Sequence, residues 1–342
     1  MNYNNYWRRI TTGALMGCVV LACCGGCTKT EPGNEQPQAN ASVQAPAKPA
    51  ARPAVAVPER KPVDSEPTFT FNFGDTVGKA YELKGVDLSG KEGGKKTRTG
   101  AIVAMQDAVY LYESSKPINL LRVDAHGETL SDLKVVGDGY AINCLATNGK
   151  VVLYKNAEKK LAVYDGTKVS VGKPFHGAVI AGCQSDGDFY FMKGRALVEA
   201  TLEGTELTNE RELFDLGNNA ELKDLSLGVC AVDGDTIFMR GTKKVAVDGA
   251  KKRTSLIVAL DKQGQEICRY EGFDDMPRGW AVTANYVVAT SSPGKFRVFD
   301  RASGQTLGNF ELEMRPFALS TLRGNDVIVY DDRSDKLYRF DF

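Results

Sequence analysis

The sequence predicts an all-β fold: a six-bladed β-propeller, closed by an N-terminal strand and preceded by a disordered tether. Three observations lead there. A strand–turn–strand cadence recurs six times, β patterning is nearly continuous from Thr68 onward, and the last copy of the cadence lacks its outer strand.

The cadence is marked by its turns at Asp107, Asn148, Asp186, Asp233, Asn285 and Asn325, which advance by 41, 38, 47, 52 and 40 residues. That spacing is the period of a propeller blade. An inner strand of small apolar residues precedes each turn. A β-rich strand follows it, as in Val151-Val152-Leu153-Tyr154 or Thr236-Ile237-Phe238-Met239. Third strands end on an acidic residue, as in Leu161 to Asp165, Ile257 to Asp261 and Phe296 to Asp300, with Gly166, Gly264 and Gly304 close behind. An acidic residue with a nearby glycine closes a tight turn into a fourth, outer strand.

The final copy ends at Phe342 with no residues left for that fourth strand. Unpaired strand edges invite aggregation. The orphan strand near the domain start, Phe69–Phe73 or Tyr81–Leu83, is therefore expected to supply it. A seventh blade would need a complete four-stranded unit in about thirty residues before Gly100. Two stretches break the rhythm. Thr205 to Lys223 reads as the longest insertion and holds a helix-like Asn209–Phe214, and Gly241 to Ser255 reads as an insertion between a second and a third strand.

Ahead of the propeller, at residues 67–342, lie two segments of different character. Residues 1–27 carry Arg8-Arg9 followed by an apolar run from Ile10 to Ala22. Thirteen helical residues reach about 20 Å, too short for a hydrocarbon core of ~30 Å, so an export signal is expected. Residues 28–66 are rich in Pro and Ala, with seven prolines from Pro32 to Pro62 and no apolar periodicity. Such a composition gives a disordered, polyproline-leaning linker.

The segment around Leu21-Ala22-Cys23-Cys24-Gly25-Gly26-Cys27 resembles a bacterial lipoprotein signal. That resemblance implies lipidation at one of Cys23, Cys24 and Cys27, and a membrane-anchored lipoprotein of the bacterial cell envelope facing the periplasm or the exterior. The turn Asp300-Arg301-Ala302-Ser303-Gly304-Gln305-Thr306-Leu307 resembles the repeats of the PQQ-like and WD40-like propeller superfamily, over most of residues 68–342. It is also loosely similar to the propeller lipoproteins of the outer-membrane β-barrel assembly machinery, which implies docking of a partner through loops.

Charge is balanced at 43 basic and 43 acidic residues, so no global bias toward nucleic acid exists. Only His126 and His176 are histidines, and no HxxxH, CxxC, EF-hand, P-loop, dinucleotide or Gly-x-Ser-x-Gly motif follows the signal region. No catalytic residue, metal or cofactor is nominated. Cys144, Cys183, Cys230 and Cys268 are expected as packed free thiols, because facing sheets lie about 10 Å apart and a disulfide needs Cα atoms within about 7 Å. The run Asp331-Asp332-Arg333-Ser334-Asp335 reads as a solvated hairpin tip. Basic residues cluster at Lys91, Lys95, Lys96 and Arg98, and again at Lys243, Lys244, Lys251, Lys252 and Arg253.

One constellation emerges when the loops before the inner strands are aligned. They place Arg98, Tyr140, His176, Asp224, Arg278 and Arg315 at one mouth of the channel, with Trp280 and Phe317 beside two of the arginines. Converging cations and aromatics suit a carboxylate, a phosphate or an acidic peptide. The sequence reading is thus a monomeric, lipid-anchored binding or scaffold module for a protein partner or an anionic ligand. The alternative is a propeller enzyme of lyase, lactonase or quinoprotein type using the same channel.

Overall fold

The computed structural model describes residues 66–83, 91–92, 95–96, 99–105, 108–113, 119–124, 130–134, 141–147, 150–155, 158–165, 168–174, 178–182, 188–220, 222–247, 250–273, 277, 279–292 and 294–342. The expected signal (residues 1–27) and almost all of the expected linker (28–66) lie outside them.

Every regular element among the described residues is a strand. The domain opens with the hairpin β1 (Phe69–Phe73) and β2 (Thr76–Glu82), then a short pair, β3 (Lys91–Glu92) and β4 (Lys95–Lys96). The first large sheet is β5 (Thr99–Met105), β6 (Ala108–Glu113), β7 (Asn119–Asp124) and β8 (Leu130–Lys134). The second is β9 (Ala141–Thr147), β10 (Lys150–Lys155), β11 (Lys160–Tyr164) and β12 (Val169–Pro174). The third comprises β13 (Ala178–Gly182), β14 (Asp188–Lys193), β15 (Ala196–Glu203) and β16 (Glu206–Asp215).

A fourth sheet holds β17 (Ser226–Asp233), β18 (Thr236–Val247), β19 (Ala250–Leu260) and β20 (Glu266–Phe273). The fifth holds β21 (Gly279–Val282), β22 (Tyr286–Ser292), β23 (Lys295–Asp300) and β24 (Thr306–Glu311). β25 (Pro316–Arg323), β26 (Asp326–Asp331) and β27 (Lys336–Asp341) form the sixth, and β2 and then β1 continue it in the order β25-β26-β27-β2-β1. All neighbours within the large sheets are antiparallel, as expected for strands joined by short turns.

The N-terminal closure is real, and of the two candidates the segment containing Tyr81 makes it. β2 takes the fourth place through Lys79↔Asp341, Ala80↔Phe340, Tyr81↔Arg339 and Glu82↔Tyr338. β1 pairs only with β2, as a fifth strand. First strands of successive sheets lie side by side, with β5 next to β9, β9 to β13, β13 to β17, β21 to β25, and β25 to β5. The contact between β25 and β5 joins the last copy of the cadence to the first, as a propeller requires.

Burial follows position within each sheet. Second and third strands are covered on both faces, so β26 is buried throughout and β14 is buried from Phe189 to Met192. Fourth strands such as β16 and β24 are mostly exposed or half-buried. The core is a series of layers between sheets. Tyr190, Leu197, Ile237 and Val258 fill the layer between the third and fourth sheets, and Phe238, Tyr270, Val287 and Phe299 fill the next one. Phe71, Phe73, Phe296, Val298, Val329 and Phe340 fill the layer between the fifth sheet and the sixth.

Two sequence expectations are corrected here. The helix-like Asn209–Phe214 lies within strand β16, which pairs with β15 from Ala196↔Asp215 to Glu203↔Glu206 with register shifts at Asn209–Glu210 and Leu213. The ladder overrides a weak local preference. The stretch from Gly241 to Ser255 is no loop insertion: β18 and β19 lengthen together and stay paired to Val247↔Ala250.

Candidate functional site

Turns of neighbouring sheets meet at one end. The Ala284 N–H donates to the Gly324 carbonyl at 2.8 Å, joining the first turns of the fifth and sixth sheets. Arg301 reaches Asp233 in the first turn of the fourth sheet at 2.6 Å. In these three sheets this lower end therefore carries the turns between first and second strands. The upper end carries the turns between second and third strands and the loops leading into the first strands.

Acidic residues organise the lower-end turns as the cadence implied. Asp261 Oδ1 accepts the N–H groups of Gln263 at 2.9 Å and Gln265 at 2.8 Å. Asp300 Oδ1 accepts the N–H and the hydroxyl of Ser303, and those bonds hold its carboxyl below the usual range. Gly264 and Gly304 follow at φ 77° and 74°, a conformation only glycine adopts freely. Between the fourth and fifth sheets this end holds a groove of about 430 Å³, lined by Phe238, Ile267, Tyr270, Tyr286 and Arg301 among others. Two of its polar side chains, Tyr270 and Arg301, are engaged. Tyr270 donates to the Arg301 carbonyl at 2.5 Å, while the Arg301 guanidinium pairs with Asp233 and lies 5.3 Å over the Phe238 ring.

A second cluster ties the third sheet to the fourth. Register places Tyr190, Glu199 and Arg211 in one row across β14, β15 and β16. The Glu199 carboxylate accepts the Tyr190 hydroxyl at 2.9 Å, the Arg211 Nε–H at 3.1 Å, a second Arg211 N–H, and Lys262 Nζ at 3.1 Å from the turn after β19. Burial alone would push this carboxyl up, but the donors from Arg211, Tyr190 and Lys262 outweigh it and hold it below the ordinary range. Four residues from four strands and turns build this knot, and no local sequence signal announces it.

At the upper end, three residues of the expected rim are described. Asp224 is exposed in the turn before β17. Trp280, half-buried in β21, packs against the layer containing Phe238 and Phe299. Arg315 directly precedes β25; its N–H donates to Asp331 Oδ1 at 2.7 Å and its guanidinium pairs with Asp332 at 2.6 Å, with 46% of the side chain in solvent. No hydrogen bond or ion pair joins these three to one another. Arg98, Tyr140, His176 and Arg278 lie outside the described residues, as do Asp274 and Asp275.

The run from Asp331 to Asp335 is more than a solvated tip. Asp331 is 3% exposed and accepts the N–H groups of Arg315 and Arg333 and the Ser334 hydroxyl. It fixes the β26–β27 turn and the start of β25 together. Cys268 is a free, half-buried thiol that donates to the Tyr270 oxygen at 3.2 Å. Burial pushes it up, so it stays protonated and packs as a small apolar group. Cys144 and Cys230 sit on the first strands β9 and β17, while Cys183 and the lipidation candidates Cys23, Cys24 and Cys27 lie outside the described residues. Among the described residues no three His, Cys, Asp or Glu side chains converge as a metal site, and no helix is long and apolar enough to cross a membrane.

The described domain is a β-propeller, a fold it shares with solved propeller structures. It is similar to the WD40 repeats of RRP9, with a TM-score of 0.51 and 8% identity over 80% of this chain and 99% of that one. It is similar also to U3-55K, with a TM-score of 0.50 and 9% identity over 77% and 98%. BamB from Moraxella catarrhalis aligns with a TM-score of 0.45 and 12% identity over 74% and 87%. No protein-family model and no curated protein matches the sequence. At such identities the shared property is the fold.

Proposed function

We propose that the chain is a lipid-anchored, extracytoplasmic propeller of the bacterial envelope that acts as a binding or scaffold module. Its upper end takes a protein partner or an anionic ligand. Lipidation at Cys23, Cys24 or Cys27 supplies the anchor, and residues 28–66 supply the linker between anchor and propeller. The rim would be Arg98, Tyr140, His176, Asp224, Arg278, Trp280 and Arg315.

The observation that carries this reading is the state of Arg315. Its ion pair with Asp332 leaves about half of the side chain in solvent. A pair half in solvent contributes modestly to stability, on the order of 1 kcal/mol, so an incoming carboxylate or phosphate can compete with Asp332 for the exposed part of the guanidinium. At the lower end, Arg301 and Lys262 are committed to internal partners instead.

Crosslinking of the intact protein in its own membranes, followed by mass spectrometry, should recover a partner with crosslinks at the rim loops and a diacylglyceryl group on one of the three cysteines. Recovery without any partner would sink the scaffold reading. An acidic peptide such as oligoglutamate should raise the melting temperature of the wild-type chain, and Arg278→Ala with Arg315→Ala should abolish that rise. An unchanged rise in the double variant would remove the rim as the site.

A further inference from the structure

β18 and β19, of 12 and 11 residues, are the two longest strands among the described residues. Their neighbours do not follow them outward. The last pairing of β17 is Ser226↔Thr242, and that of β20 is Ser255↔Phe273. Beyond those points five rungs, from Lys243↔Thr254 to Val247↔Ala250, pair only with each other. At about 3.4 Å per residue, the resulting two-stranded ribbon extends roughly 17 Å past the sheet.

The composition of the ribbon is one-sided. Of residues 243–254, Lys243, Lys244, Lys251, Lys252 and Arg253 are basic and only Asp248 is acidic. Register places Lys244 directly opposite Arg253, and on the same face it places Lys251 opposite Ala246. Lys243 and Lys252 belong to the other face with Val245, Val247, Ala250 and Thr254. Like charges directly across a ladder destabilise it, and an isolated two-stranded hairpin is marginal in water. A sequence that only had to close this turn would not concentrate cations there. An anionic surface would attract each of these cations and offset that repulsion.

The position of the ribbon selects which surface. As a turn between second and third strands, it lies at the upper end of the fourth sheet. The chain enters the domain at the upper end too. The Glu82 N–H donates to Thr68 Oγ1 at 2.8 Å, and Glu82 pairs at 2.9 Å with Lys336, the first residue after the β26–β27 turn. Thr68 and the base of the basic ribbon thus lie on the same side of the propeller.

We propose that the β18–β19 ribbon is a docking surface for the anionic lipid headgroups of the bilayer to which the chain is tethered, orienting the propeller with its upper end toward that membrane. The proposal rests on the anchored reading above for its choice of membrane, and on the ribbon's own charge for its affinity. Each basic residue held at an anionic surface strengthens partitioning by about fivefold at physiological salt. The attraction should collapse at about 0.5 M salt, where screening acts over a few ångströms.

The test is amide hydrogen exchange of the full chain with vesicles of phosphatidylcholine alone and with vesicles containing about one-fifth phosphatidylglycerol. Slower exchange within residues 243–254 is expected only on the anionic vesicles, reversed by salt. Combined K244Q, K251Q and R253Q substitution should weaken partitioning by about a hundredfold, and the single K251Q variant by about fivefold, which keeps the test valid if the triple variant folds poorly. Equal exchange on both vesicles would overturn the proposal. Protection by oligoglutamate without protection by vesicles would overturn it in favour of an acidic protein. The anchored reading fails separately, if native protein carries no diacylglyceryl group, and that result leaves the vesicle measurement interpretable.

Discussion

At the scale of single residues, Glu199 shows how the propeller holds its sheets together. Its carboxylate is almost fully enclosed and receives donors from Tyr190, Arg211 and Lys262. Glu199→Gln keeps the shape but loses the charge that both cations answer, and should destabilise the domain by about 2 kcal/mol in urea unfolding. The folded-state carboxyl lies below its unfolded value of about 4.3. Its contribution is therefore present above that value and disappears as pH falls through the lower folded one. Stability of the wild type should drop more steeply than that of Glu199→Gln on acidification below about pH 5; parallel pH profiles would exclude the role. Tyr270→Phe makes a complementary case. It removes the hydroxyl donor to the Arg301 carbonyl beside the lower groove and leaves only the weak Cys268 thiol donor at 3.7 Å, so about 1 kcal/mol should be lost.

At the scale of elements, the β1–β2 hairpin sits so close to β24 that glycine is required on both sides. A Cβ at Gly308 would lie 2.4 Å from the Gly74 nitrogen and 2.7 Å from the Phe73 carbonyl carbon, and one at Gly74 would meet the Leu307 carbonyl at 2.7 Å. Backbone cannot yield as a side-chain tip can, so Gly308→Ala should cost about 2 kcal/mol or more. Gly234→Ala is the control, since its Cβ meets open space and only the positive φ is penalised, by about 1 kcal/mol. Equal losses in the two variants would show that the close approach is unimportant. Phe73→Ala, at a side chain 1% exposed and packed against Tyr286 and Phe342, should cost about 3–5 kcal/mol. Second and third strands were legible in the sequence because burial on both faces makes them continuous apolar runs, as in Val151–Tyr154. The outer strand β16 was not, because one exposed face fills it with Glu, Asn and Arg, and only its ladder with β15 holds it extended. In the β18–β19 hairpin the lysine run hid the strands, although Asp248-Gly249 between paired residues is a strong hairpin signal.

At the scale of the whole molecule, the sixth sheet joins the two ends of the propeller sequence, and β25 lies against β5 of the first sheet. The missing outer strand could be inferred by counting copies, since each earlier copy has four strands and the last has three. The candidate rim was less legible: loop alignment gathers residues by sequence position, whereas the partner that Arg315 has, Asp332, comes from a turn the alignment did not consider. Shared closure couples the propeller's fate to residues 67–83. Removing them would bare the β27 edge from Tyr338 to Asp341 and strip Phe71 and Phe73 from the layer they share with Phe296 and Phe340. An open edge beside an uncovered apolar layer is a template for pairing with another copy. The intact chain should unfold in one transition followed through Trp280 in the adjoining fifth sheet, whereas the chain lacking 67–83 should unfold at markedly lower urea and elute as dimers or larger species. A truncated chain that stays monomeric with an unchanged midpoint would mean that the ring holds without its N-terminal strand, and that the β25–β5 contact alone carries the closure.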